Sequence, residues 1–178
     1  MSYLAEKICP MHETVAEIEA LQQLLERSAS KAGPQLTEII SPRRRLTATQ
    51  VIAELTGMKV LVVATVTSSG EPRTSAVDGH FLHGQWLFGT DERAHKARAV
   101  KANPAVSATY VDGERVAVFT HGHVDYITPG HPLFAECDAH YTSYYGSSPT
   151  EWTPAPVYFK LRPKWMVGYA ADAERFPG

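Results

Sequence analysis

Cysteine is scarce: Cys9 and Cys137 are the two in 178 residues. Two cannot build a disulfide framework, and their separation is not that of a metal site. The scarcity points to a reducing, cytoplasmic setting. The first residues, MSYLAEKICPMHE, lack a basic stretch followed by an apolar one, so no signal peptide is expected. No run approaches the ~20 apolar residues of a membrane helix, so no membrane partner is expected either. Net charge is also nearly missing. Seventeen lysines and arginines stand against nineteen aspartates and glutamates, a formal charge of -2. The chain as a whole is therefore no nucleic-acid binder, and any basic feature must be local. Internal repeats and low-complexity tracts are absent. So are a G-x-S-x-G elbow, a phosphate-binding P-loop and a dinucleotide fingerprint. No catalytic side chain and no metal site is assigned.

What remains is a soluble composition, 44% hydrophobic and 20% charged, at a length that suits one domain. Residues 12–30 predict a helix, with Val15, Ile18, Leu21, Leu24 and Leu25 on one face. Ala-Gly-Pro at 32–34 ends it, and SPRRR at 41–45 reads as a surface loop. A short helix is expected at about 48–56, capped by Thr47 or Thr49. The character then changes. KVLVVATVT (59–67) is a buried strand, and a strand at 73–83 and WLFGT complete a meander, with a reversal at Gly84-Gln85. Strands follow at 105–111 and 115–127, with Gly122 marking a bulge or close approach. Residues 131–146 predict a helix and 147–156 a loop. Residues 157–170 read as a closing strand pair, or one bent strand interrupted at Pro163. The expected fold is mainly β with helices: a small antiparallel barrel of at least six strands with an N-terminal helical extension. Residues 1–46 form the helical arm, and 47–178 the barrel domain.

The stretch GTDERAHKARAVKANP (89–104) holds the local charge: Arg93, His95, Lys96, Arg98 and Lys101. A solvated helix face would look the same by charge alone. Its place decides between the two. It follows an apolar strand, so the helix is expected to begin at Gly89-Thr90-Asp91. Free N–H groups and the positive end of the dipole there favour an anion. Thr90 adds a hydroxyl, and His95 and Lys96 close over a phosphate about one turn later.

The order ATV, SSGEPRTSAV, WLFGT, HKARAVKANPAVSATYV and FKLRPKWMVGYA resembles the pyridoxamine 5'-phosphate oxidase-like family of FMN-binding split barrels, over roughly residues 48–170. That resemblance implies a six-stranded antiparallel split β-barrel, with 47–178 as the flavin-binding split-barrel domain. It implies a flavin (FMN)-dependent oxidoreductase acting on a small organic substrate. It also implies a homodimer with the cofactor at the interface. Arg73, Thr74, Ser75, Ala76 and Val77 would line the isoalloxazine and ribityl side. Gly89, Thr90, His95 and Lys96 would hold the phosphate. Trp165, or Tyr169, would complete the site from a second subunit, by position. Many members have Arg-Lys where this chain has His95-Lys96, so flavin affinity is expected to weaken above neutral pH. The chain ends in GYAADAERFPG, without the basic segment that grips the substrate phosphate in dedicated pyridoxamine phosphate oxidases. Pyridoxamine phosphate is therefore not the expected substrate. A deazaflavin coenzyme in place of FMN, and a flavin-binding protein without turnover, stay open.

Two further groups stand out. His121, His123 and Asp125 share one strand face, but two imidazoles fall short of a metal's ligand set. The position of a third, from His80 or His83, is not fixed. Ordinary strand residues are expected. His140, Tyr141, Tyr144, Tyr145 and Trp152 either wall a substrate pocket or pack a helix on the barrel. Cys137 lies between Glu136 and Asp138, which oppose thiolate formation.

Overall fold

The computed structural model describes residues 12–177. Cys9 and the first part of the arm lie outside these residues. Helix α1 (Val15–Ser30) begins where Thr14 caps it, in a reciprocal pair with Glu17. It buries Leu21 and Leu25, with Ile18 and Leu24 packed alongside. A second helix, α2 (Pro34–Ile39), follows where the sequence shows only a stop. Pro34 ends α1 and opens α2, because its missing N–H costs nothing at a first helical position. Helix α3 (Ala48–Glu54) is capped by Thr47 and Gln50.

Six strands then close a barrel: β1 (Met58–Val66), β2 (Pro72–Leu82), β3 (Gln85–Asp91), β4 (Ala105–Asp112), β5 (Val116–Ile127) and β6 (Pro156–Ala170). Helix α4 (His95–Ala102) joins β3 to β4. Helices α5 (Phe134–Tyr145) and α6 (Pro149–Trp152) join β5 to β6. The spatial order is β1-β2-β3-β6-β5-β4, all antiparallel, and β4 pairs with β1 to close the ring. Alternate residues point inward, so Leu61, Val63, Trp86, Phe88, Val118, Phe159 and Leu161 fill the interior. The Trp86 indole N–H is satisfied inside the barrel by the Thr120 hydroxyl, 3.1 Å away.

The β2–β3 reversal is His83-Gly84, one residue earlier than the sequence suggests. Both have positive φ, 53° and 70°, the twist that a two-residue hairpin requires. The closing segment is one bent strand. Gly122 pairs with Pro163 and His121 with Trp165, so Lys164 bulges out. The bulge explains how a proline sits within a barrel strand.

β6 outruns β3, whose pairing with it stops at Leu161. SPRRR covers the exposed length rather than lying free as a loop. Arg45 bridges Tyr169, Leu46 N–H donates to the Gly168 carbonyl at 2.9 Å, and Ala170 N–H to the Arg44 carbonyl at 2.8 Å. Helix α1 lies on the same strand. The Met166 N–H donates to the Ser28 hydroxyl at 3.0 Å, and the Trp165 indole to the Ser28 carbonyl at 3.3 Å.

At Gly122 the backbone of β6 leaves no room for a side chain. A Cβ there would stand 2.1 Å from the Arg162 carbonyl oxygen. Backbone cannot yield as a side-chain tip can, so Gly122→Ala is expected to cost about 3 kcal/mol. A urea-unfolding midpoint unchanged from wild type would show that the bulge tolerates the methyl.

Candidate functional site

The barrel is split between two neighbouring strands. β2 pairs with β3 only from His80↔Leu87 to Leu82↔Gln85. Beyond that, β2 follows β1 down to Pro72, while β3 follows β6 to Asp91. The facing edges of 72–79 and 88–91 thus have no strand partner, and two cavities open along the gap.

The larger is a cleft of about 550 Å³ between the ends of β1 and β2 and helix α4. Arg73, Thr74, Ser75, His95 and Lys96 line it, with Arg98. Four of these side chains are basic types, and no carboxylate lines the cleft. The volume falls within the roughly 300–1,000 Å³ of small-molecule sites.

The start of α4 differs from the sequence expectation. β3 continues through Gly89, Thr90 and Asp91, which pair with Tyr158, Val157 and Pro156. The helix begins at His95, and Ala94 supplies no side-chain cap. His95 and Lys96 are therefore its first two residues, beside its own free N–H groups, and not a turn beyond them. The Asp91 carboxylate builds the intervening turn. Oδ1 accepts from the Arg93 N–H and Nε, both at 2.8 Å, and Oδ2 from Nη2 at 2.8 Å and from the Thr153 hydroxyl. The Arg93 guanidinium, with Thr153, holds this carboxyl well below the usual carboxylate range.

The cations are not equally free. Arg73 pairs with Glu71 at 3.0 Å. Arg98 donates to the Arg93 carbonyl at 2.5 Å and to His95 Nδ1 at 2.9 Å. A guanidinium cannot accept a hydrogen bond, so His95 Nδ1 is the acceptor and the ring proton lies on Nε2. His95 then keeps its Nε2–H as a hydrogen-bond donor. Lys96 has no carboxylate partner among the described residues. Its Nζ reaches only the Thr90 hydroxyl, at 3.4 Å.

Other expected site residues lie elsewhere. Val77 points into the core, and Ala76 sits on the outer face, opposite Val62. Gly89 and Thr90 line the second cavity, where a Cβ on Gly89 would meet the Tyr158 ring at 3.1 Å. Trp165 stacks on His121 at 4.7 Å beneath α1, and Tyr169 stacks on Phe119. His121 bonds Ser107, His123 lies by Lys164, and Asp125 pairs with Arg162. Among the described residues no group of three or more His, Cys, Asp or Glu is arranged to hold a metal ion. Burial pushes the Cys137 thiol up to about 11, against a nucleophilic role. Residues missed from sequence are Arg98, Thr65, Thr67 and Ser68 in the cleft, and Asp78 and Thr153 in the second cavity. The hydroxyl run TVTSSG, ahead of a turn, is the signal that marks the cleft side.

Helix α5 covers the second cavity through a polar chain that runs from the exposed Asp78 to the buried His80. Tyr145 donates to Asp78 Oδ2 at 3.0 Å and stands 3.1 Å from His80 Nε2. The His80 ring packs against His140 at 4.8 Å. Burial, reinforced by His140 and opposed by Asp78, lowers the His80 pKa to about 4.

A split β-barrel whose gap holds a basic cleft at a helix N-terminus defines the class. Within it, this chain belongs to the pyridoxamine 5'-phosphate oxidase family, whose model matches residues 48–167. Three solved structures share the fold. A conserved hypothetical protein from Mycobacterium tuberculosis is 16% identical, with TM-score 0.61, over 77% of this chain and 92% of its own. A FAD-binding protein from Mesorhizobium loti is 19% identical, with TM-score 0.55, over 71% and 94%. A heme storage protein from Vibrio cholerae is 17% identical, with TM-score 0.54, over 76% and 93%. Among curated proteins, none matches the sequence. No helix among the described residues is long and apolar enough to cross a membrane.

The buried His80 makes stability depend on pH. Its folded pKa lies below its ordinary value of about 6.5, so the unfolded chain takes up the proton first. Its contribution is whole above about pH 6.5 and is lost as pH falls towards 4, on the order of 3 kcal/mol. His80→Gln keeps a donor for Tyr145 and should flatten that part of the profile. Urea unfolding across this range checks it; parallel profiles for the two proteins would contradict the assignment.

Proposed function

We propose that the cleft binds FMN and that the protein is a flavin-dependent oxidoreductase acting on a small organic substrate. The observation that carries this reading is the charge of the cleft: four basic side chains and an uncapped helix start, with no carboxylate among the lining residues. A phosphate dianion suits that set. Lys96 offers an unmatched ammonium, His95 an imidazole N–H, and α4 its first free amides. Beside them, Thr74 and Ser75 are small enough to let a flat ring approach the unpaired edge of β2. Free backbone groups on that edge are suited to the polar rim of the ring. A flavin held there supplies the redox chemistry, and the protein supplies binding, orientation and electrostatics.

The same reading makes the protein a homodimer with the cofactor at the interface. Supporting it, the outer face of β1 and β4 exposes Val60, Val62 and Val111, which are 60%, 43% and 53% accessible. A contiguous apolar face of this kind marks an interaction surface. Trp165 and Tyr169 are assigned to the partner's cofactor site on the same reading. No partner of nucleic acid or membrane and a cytoplasmic setting complete it.

The absorbance spectrum of the purified protein, after loading with FMN and removal of the unbound part, tests the cleft. Wild type should retain a flavin band. Lys96→Ala should weaken FMN by tenfold or more, in line with the roughly 1.5–3 kcal/mol of a charged hydrogen bond. Thr90→Ala should weaken it less. Tighter binding of the deazaflavin coenzyme than of FMN would replace the cofactor and keep the site. Retention of neither would return α4 to an ordinary cationic surface helix. Sedimentation tests the dimer: Val62→Glu should yield monomers with weakened flavin retention, and an unshifted dimer would rule out this face.

A further inference from the structure

The second cavity in the gap has the opposite chemistry. It encloses about 210 Å³ and is walled by the rings of Tyr141, Tyr145, Tyr158 and Trp152. Tyr145 meets Trp152 edge-on at 5.4 Å, and Tyr141 packs against Tyr145 and Tyr158 at 5.7 and 5.3 Å. The charged residues on its lining are Asp78 and Asp91, and no basic side chain lines it.

The charges can be followed atom by atom. Burial raises all three phenols above their ordinary range, so they stay neutral. Their hydroxyls are committed: Tyr158 donates to Asp138 at 2.7 Å, Tyr145 to Asp78 Oδ2, and Tyr141 to the Asp78 carbonyl at 3.4 Å. His80 is neutral at neutral pH, with its pKa near 4. Asp91 is matched by Arg93 and Thr153. Asp78 is different. Its Oδ1 has no protein donor, and no lysine or arginine pairs with it, among the described residues. The aromatic walls thus border one solvent-exposed negative charge with no cation opposite it.

We propose that this pocket takes an organic cation, a protonated amine or quaternary ammonium on a small apolar or aromatic frame. Aromatic side chains that wall a site attract a cation, and Asp78 supplies the counter-charge. A neutral ligand leaves the carboxylate unmatched, and an anion is repelled by it. Thr90 lines this pocket and touches Lys96 of the cleft, so cofactor and cation lie side by side in one gap. The role of the cation as substrate rests on the flavin reading, while its binding does not.

Calorimetric titration of the full chain with benzyltrimethylammonium, benzyl alcohol and benzoate, each with and without FMN, decides the matter. The ammonium should bind at least tenfold more tightly than the alcohol, and benzoate should not bind. Asp78→Asn keeps an acceptor for Tyr145. It should weaken the ammonium at least tenfold, leave the alcohol unchanged and retain FMN as wild type does. Trp152→Leu, at an exposed position, should also weaken the ammonium, and it reads the same pocket if Asp78→Asn does not fold. Equal affinity for ammonium and alcohol, preference for benzoate, no binding of any probe, or no loss in both variants overturns the proposal. Cation preference without flavin retention would sink the flavin reading alone. Flavin retention without cation preference would sink the pocket alone.

Discussion

The short pairing of β2 with β3 is the constraint on which the rest depends. A barrel strand that loses its neighbour leaves a row of backbone donors and acceptors to be satisfied. Here β2 and β3 stay together for three residue pairs and then follow different neighbours. The opening is kept from collapse by helices on both sides. Helix α4 rests on the barrel through the buried Ala97 and Val100. Helix α5 rests on it through Cys137 and Tyr141. Between them the gap stays open, and strands and helices supply most of its walls.

A second mismatch, at the far end of β6, accounts for the N-terminal elements. Residues 164–170 of β6 have β5 on one side and no β3 on the other. Arg44 to Leu46 take up the open edge, and α1 covers the face. Leu21 and Leu25 join the same buried cluster as Val51, Phe159 and Met166. The segment that looks in sequence like a separate arm therefore shares the barrel's core over its described residues. At a typical 1.5–3 kcal/mol for each buried leucine, its two buried leucines alone outweigh most of the surface ion pairs.

How far the sequence discloses this follows from the range of each interaction. Local signals read well. The β-branched apolar run of β1, a threonine cap for α3, and the bulge or close approach at Gly122 are all visible in short windows. So is the capping box Ser148–Glu151 that starts α6, although the proline-rich surroundings there suggest a loop. The basic cleft was legible because its residues come from two stretches, 73–75 and 95–98, each with a pattern of its own. The start of α4 was misplaced because the pairing of Gly89–Asp91 with Tyr158–Pro156 spans most of the domain, and no local pattern shows it. Asp78 was missed for a related reason. It stands in an ordinary alternating strand, and only the fold shows that α5 brings Tyr141 and Tyr145 and no lysine or arginine to it.

The extension of β3 to Asp91 changes the site more than its length suggests. Had the helix begun at Gly89, Thr90 would have been an N-terminal donor facing the same anion as Lys96. As a strand residue, Thr90 instead lines the acidic pocket and reaches Lys96 from the other side. Asp91 then turns back onto Arg93, which removes one cation from the cleft and one anion from the pocket in a single ion pair. What that pair leaves behind is a cleft where Lys96 and Arg98 have no carboxylate partner, and a pocket where Asp78 has no basic one, among the described residues. The threonine between cleft and pocket belongs to a strand whose pairing with β6 fixes its place, so the two linings stay separate in charge.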